Sequence, residues 1–228
     1  KGALPLDRPW DCCMMARGSW GEPMTRAILI RHCETASNRD GRTQGQSDGE
    51  LDSTGWKQAI ALAASLQQEQ LEAVYSSPLR RAFDTAKAIA ELHNLTVQVD
   101  NDLRELDQGK LDGLTFEQLR ADHADFLREW ARNPGPLKMP GGESLQELQQ
   151  RAYACMERIT SRHPNGTVAV VSHNFTILTI ICRVLDLDLS RFRRLGLSIA
   201  AKSVIEFREG GPVLVLLNDV HHLSEDAT

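Results

Sequence analysis

Two runs in this chain contain no polar side chain: Ala27-Ile28-Leu29-Ile30 and Val168-Ala169-Val170-Val171. Runs this short and this uniformly apolar read as strands buried on both faces. Between and after them lie longer stretches with helical punctuation. A helix is expected from Ser53-Thr54 to about Gln70. Others are expected from Leu79 to about His93 (with Ser77 as its N-cap and Pro78 in its first turn), over Phe116–Trp130, over Glu143–Arg162, and from Phe175 to Leu185. Ala73-Val74-Tyr75 and Thr96–Val99 add short strands. Ser203–Arg208 and Val213–Asn218 read as a hairpin turning at Glu209-Gly210-Gly211. Strands that alternate with helices predict an α/β fold: a three-layer α/β/α sandwich with a mostly parallel central sheet and an antiparallel addition from the final hairpin.

In such a sheet, ligands bind beyond the C-terminal ends of the strands. The first apolar run ends directly in Arg31-His32. Arginine presents a permanent cationic fork suited to phosphate oxygens, and histidine can attack or carry protons near neutral pH. Taken alone, this pair could equally be two surface residues closing a strand. Three more polar groups occupy equivalent places: Ser76-Ser77-Pro78-Leu79-Arg80-Arg81 after the second strand, Leu103-Arg104-Glu105-Leu106 after the third, and Ser172-His173-Asn174 after the second apolar run. Parallel strands would bring two arginines, two histidines and a glutamate into one crevice.

These segments resemble the histidine phosphatase superfamily, the group that includes the phosphoglycerate mutases. The family's Arg-His-Gly-x-Thr/Ser motif reads here as Arg31-His32-Cys33-Glu34-Thr35. Its Ser-Ser-x-x-x-Arg-Ala-x-x-Thr-Ala motif runs from Ser76 to Ala86, its acid loop from Leu103 to Gly109, and its second histidine motif is Val171-Ser172-His173. A Pro-Gly-Gly-Glu-Ser stretch common among its phosphatases is Pro140 to Ser144. The likeness covers roughly Arg26 to Asn218.

The resemblance implies a metal-independent phosphomonoesterase with no cofactor, acting on a small-molecule phosphate ester. It implies His32 as the nucleophile that becomes phosphohistidine. Arg31, Arg81 and His173 would grip the phosphoryl oxygens, and Glu105 would give and take the proton. Asn38, Gln44 and Gly45 match substrate-contacting positions, and Asn174 could offer its backbone N–H at a helix start. Arg80, in contrast, reads as an ordinary exposed helix residue, and Arg104 and Asp107 as solvated loop charges. Cys33 and Asn174 stand where the family commonly has glycine. Either side chain could narrow the pocket, and Cys33 could be an oxidation site beside the nucleophile. A phosphoglycerate mutase is the alternative, disfavoured by the short stretch between Glu105 and His173. A non-catalytic phospho-ligand binder would normally have lost one of the five central residues.

The remaining features set bounds. With 26 Lys and Arg against 31 Asp and Glu, the net charge is −5, which does not suggest a nucleic-acid binder. No apolar run approaches the roughly 18 residues that span a bilayer. Five cysteines, an odd count without zinc-finger spacing, suggest reduced thiols and a cytoplasmic protein. Residues 1–23, with Cys12-Cys13, Trp10 and Trp20, read as an upstream leader, an artefact or a surface-packed tail. Residues 24–220 read as one domain and 221–228 as a tail, where His221-His222 beside Asp219 reads as frayed chain rather than a metal site. Trp56 and Trp130 are expected to be packing residues, with Trp130 a candidate for the pocket mouth. The stretch from about Asp112 to Met139 is expected to cap the site. The edge strand of the final hairpin could pair in a homodimer.

Overall fold

The structure, a computed structural model, describes residues 24–223. The expectations for residues 1–23 and for the last five residues lie outside them. The sheet has six strands: β1 (Thr25–Arg31), β2 (Leu71–Ser76), β3 (Val97–Val99), β4 (Thr167–Ser172), β5 (Lys202–Arg208) and β6 (Gly211–Asp219). Their order is β3-β2-β4-β1-β5-β6. The first four are parallel, and β5 and β6 add antiparallel strands beyond β1.

The two apolar runs are fully explained by this order. β1 and β4 are central, and their residues alternate between two cores. Ala27, Leu29, Val168 and Val170 face the helices α6 (Leu145–Arg162) and α7 (Asn174–Val184). Ile28, Ile30, Ala169 and Val171 face α2 (Ser53–Ser65) and α3 (Arg80–Leu92). A strand with a core on each side has no position for a polar residue. A short α1 (Ala36–Arg39) lies in the loop after β1, held by a capping box between Thr35 and Asn38.

The register aligns the strand ends. Arg31 pairs with Ser172 across β1 and β4, and Ser76 pairs with Val171 across β2 and β4 and with Val99 across β2 and β3. The next residues along each chain therefore emerge at one edge of the sheet.

Local punctuation differs from expectation in several places. Ser77 is not the N-cap of α3. The helix starts one residue after Leu79, which has extended backbone and no side-chain cap, and the Ser77 hydroxyl instead accepts the Leu79 N–H at 3.2 Å. The helix expected over Phe116–Trp130 is two: α4 (Phe116–Asp122) and α5 (Ala124–Arg132), broken at His123, whose backbone (φ −130°, ψ 29°) is not helical. Both short helices contribute to the lining of one cavity, through Leu119 of α4 and Phe126, Leu127 and Trp130 of α5. α2 starts at Ser53 as expected, with Asp52 as its cap accepting the Gly55 N–H at 2.9 Å, but it ends at Ser65 rather than near Gln70. Trp56 is not a packing residue in the expected sense, because 43% of it is exposed. Trp130 is buried among Phe175 and Phe192, with ring centroids 5.7 Å from each.

Candidate active site

His32 follows β1 and is almost fully buried. Its backbone is fixed on both sides: its N–H donates to the Ser172 carbonyl at 2.9 Å, and its carbonyl accepts from Ala200 at 3.2 Å. Its ring is fixed by a 2.8 Å contact between Nδ1 and the Cys33 carbonyl. A carbonyl can only accept, so Nδ1 carries the proton and Nε2 keeps its lone pair. Burial, followed by the charges of Arg81 and Arg31, drives the His32 pKa well below the ordinary value. A buried ring that is neutral at physiological pH and bears a free Nε2 is a competent nucleophile.

His173 closes β4 and packs against His32 with ring centroids 5.2 Å apart. Its Nε2 lies 2.7 Å from the Ser77 hydroxyl, while its buried Nδ1 has no partner. Burial and the charge of Arg81 push its pKa well down as well. The charges that act on both histidines come from two arginines. Arg31, the last residue of β1, donates to the Leu197 carbonyl at 2.6 Å and to Asn174 Oδ1 at 3.4 Å. Arg81 is completely buried and donates to the Ser47 and Gly45 carbonyls at 2.8 and 2.7 Å. Desolvation lowers its pKa to about 10, which leaves it cationic at neutral pH. The Nε of each arginine is buried without a partner.

Glu105 arrives from the acid loop and lands on the start of α7. Its Oε2 accepts the Phe175 N–H at 3.1 Å. Its Oε1 accepts the Leu106 N–H at 2.8 Å and the Thr176 N–H at 3.2 Å, and lies 3.2 Å from the Thr176 hydroxyl, whose one proton goes to the Arg104 carbonyl at 2.9 Å. Donors at a helix N-terminus favour a carboxylate, as do Arg81 and Arg31, yet burial outweighs them and the pKa is raised. A carboxyl that holds its proton above the usual range, next to a neutral histidine, is the pairing expected of a general acid and a nucleophile.

The acid loop is itself braced by a residue that sequence reasoning missed. Arg151, on α6, donates to the Asp102 and Arg104 carbonyls at 2.8 Å each, to the Glu105 carbonyl at 3.0 Å and to Glu143 Oε2 at 3.0 Å. Glu143 in turn accepts the Asp107 N–H at 2.9 Å. This gives the Pro-Gly-Gly-Glu-Ser stretch its physical meaning. Gly142 lies so close to the acid loop that a Cβ there would sit 2.0 Å from the Asp107 carbonyl oxygen. Ser144 then caps α6 in a capping box with Glu147. No spacing rule links Arg151 to Glu105; only the packing of α6 against the loop does.

Arg31, His32, Asn38, Gln44, Glu105 and Asn174 all line one cavity of about 280 Å³. Gly45 does not. Its N–H donates to Asp112 Oδ1 at 2.8 Å and its carbonyl holds Arg81, so it forms the wall behind the cavity. Arg81 and His173 also stand behind that surface. Cys33 does not narrow the pocket, because its side chain points into the α2/α3 core, fully buried. Burial pushes its thiol up to about 12, which removes the thiolate that oxidation requires. Asn174, by contrast, does line the cavity and touches Arg31. Arg80 is exposed and pairs with Glu50 and Asp84. Among the described residues no group of three His, Cys, Asp or Glu side chains could hold a metal ion, and no helix is long and apolar enough to cross a membrane.

Residues 27–220 match the profile of the histidine phosphatase superfamily, branch 1. Phosphoserine phosphatase 1 of Hydrogenobacter thermophilus is 39% identical over 202 residues, covering 89% of this chain and 96% of that protein. Two solved structures are each 30% identical with a TM-score of 0.79. One is the native mycobacterial glucosyl-3-phosphoglycerate phosphatase, covering 86% of this chain and 99% of its own. The other is a mutant phosphoserine phosphatase from Entamoeba histolytica in complex with phosphoserine, covering 88% and 100%. The match runs through every strand end that carries a candidate residue. The chain therefore belongs to the histidine phosphatase superfamily, and it is a phosphoric monoester hydrolase.

Proposed function

We propose that this enzyme hydrolyses a small phosphomonoester without a metal, through a phosphohistidine at His32. The observation that carries this reading is the 2.8 Å contact from His32 Nδ1 to the Cys33 carbonyl, which leaves Nε2 unprotonated. In the first step Nε2 attacks phosphorus, the N–P bond forms and the P–O bond to the alcohol breaks. Glu105 gives its proton to the departing oxygen. In the second step water attacks phosphorus and loses a proton to the Glu105 carboxylate, and the N–P bond breaks to release inorganic phosphate. Arg31, Arg81 and the Nδ1–H of His173 would stabilise the charge on the transferring group, the largest contribution in reactions of this kind. Asn38, Gln44 and the Asn174 backbone would complete the phosphate cradle, with Gly45 acting through its hold on Arg81.

The test is release of inorganic phosphate from a panel of phosphomonoesters in the presence of EDTA, for wild type and His32→Ala. Turnover in wild type and none in the mutant is expected, together with an acid-labile phosphoenzyme on rapid quenching. Undiminished turnover by His32→Ala would sink the mechanism. Interconversion of phosphoglycerates without phosphate release would identify a mutase instead.

A further inference from the structure

Resting on that reading of the site, we propose that the alcohol portion of the substrate presents an apolar group, aryl or bulky alkyl, and not an ammonium-bearing one such as an amino acid. The cavity over His32 has two unlike sides. One carries the polar groups of the phosphate site. The other is carbon: Leu119, Phe126 and Leu127 from the cap helices, Trp130, Met139 and Phe175.

The two sides meet at Phe175. Its backbone N–H holds Glu105 Oε2 at 3.1 Å, so the carboxyl that protonates the leaving oxygen is anchored to the residue whose ring lines the apolar side. That ring meets Trp130 edge-on, with centroids 5.7 Å apart. Trp130 is held from elsewhere by the Arg193 guanidinium, 4.8 Å from its centroid, and by Phe192. The first carbons beyond the leaving oxygen therefore enter a fixed aromatic corner.

Charge points the same way. Arg31 and Arg42 line the cavity, and Glu105 is the one carboxylate among its lining residues. Its two oxygens already accept from Leu106, Phe175 and Thr176, and the reaction needs its proton. A substrate ammonium would lose its water without gaining a free anion, beside two arginines. An apolar group meets no such penalty and gains from every carbon it buries.

The experiment compares kcat/KM for benzyl phosphate, 3-phosphoglycerate and O-phosphoserine. All three are esters of alkyl alcohols, which keeps leaving-group acidity from dominating the comparison. It uses the wild type, Trp130→Ala and Phe126→Ala, the second because Trp130 is buried and its loss could disturb folding. Competitive inhibition by inorganic phosphate reports that the phosphate site is intact. Wild type should prefer benzyl phosphate over phosphoserine by about tenfold or more, the range in which small apolar contacts discriminate substrates. Phe126→Ala should remove most of that preference through KM. Phosphoserine cleaved as well as or better than benzyl phosphate overturns the proposal. So does a Phe126→Ala enzyme that loses all three esters equally while still binding phosphate. His32→Ala tests the other reading separately: turnover that survives it with the benzyl preference intact overturns the phosphohistidine step and supports the pocket assignment.

Discussion

The Ser77 hydroxyl lies 2.7 Å from His173 Nε2 and accepts the Leu79 N–H at 3.2 Å. Among the described residues Nε2 is the one acceptor in reach of the Ser77 O–H, so the hydroxyl gives its proton to Nε2. His173 is then a neutral ring with its proton on Nδ1, the nitrogen left without a partner. Ser77→Ala should lower kcat by about 10- to 100-fold and cost about 1–2 kcal/mol of stability, the usual price of one buried hydrogen bond. Steady-state kinetics and urea unfolding of the same variant check it. An unchanged kcat would show that the tautomer of His173 is set elsewhere.

The raised pKa of Glu105 and the lowered pKa of His32 fix the pH profile of kcat/KM. In the proposed mechanism, activity needs His32 neutral and Glu105 protonated. It should rise as pH passes the depressed His32 value, below 6.5, and fall as pH passes the raised Glu105 value, above 4.5. Glu105→Gln should lose about 10²- to 10⁴-fold in kcat and lose the descending limb. A falling limb that survives in Glu105→Gln belongs to another group.

Arg151 is a positioning residue, joining the Asp102 carbonyl and two carbonyls of the acid loop to Glu143. Arg151→Lys cannot satisfy that fork with one ammonium. It should reduce kcat about tenfold and broaden the alkaline limb of the profile, with little change in inhibition by inorganic phosphate. Arg151→Ala should also cost about 2–3 kcal/mol, since Glu143 and the carbonyls lose charged hydrogen bonds. Equal loss of phosphate binding in Arg151→Lys would point to general disruption instead.

Buried neutral His32 and His173 make the fold acid-sensitive. Both have folded pKa values below the unfolded 6.5. Their stabilising contribution is complete above 6.5 and is lost as pH falls through that value, because only the unfolded chain takes up protons there. Two such groups give a limiting slope of about 2.7 kcal/mol per pH unit, offset by up to about half of that where Glu105, whose folded pKa is raised above 4.5, takes up a proton in the folded state. Urea midpoints measured from pH 7.5 down to 5 should fall, and His173→Gln should fall less steeply. Parallel curves for the two proteins would rule His173 out as a source.

Cys33 should be inert in the folded enzyme despite its place beside His32. Its side chain is fully buried and its pKa is about 12. Treatment with N-ethylmaleimide followed by peptide mass mapping should label Cys33 only after denaturation. Labelling in the native state at a rate matching loss of activity would show that the loop opens.

The layered α/β architecture, the parallel core and the five residues Arg31, His32, Arg81, Glu105 and His173 were readable from the chain. Strand character is written in which residues are apolar, and Arg31, His32, Arg81 and His173 sit at or next to a strand end or a helix start, while Glu105 lies in the loop after β3. What the linear order could not express is contact between distant segments. Arg151 lies on the far helix from the acid loop it holds, and Phe175 couples the proton donor to the apolar wall only because α7 starts beneath Glu105. The turn of Cys33 into the α2/α3 core, the withdrawal of Gly45 behind the cavity and the break at His123 were likewise settled by tertiary packing. Each depends on which neighbour claims a hydrogen bond or fills a core, and a local sequence pattern holds no record of that competition.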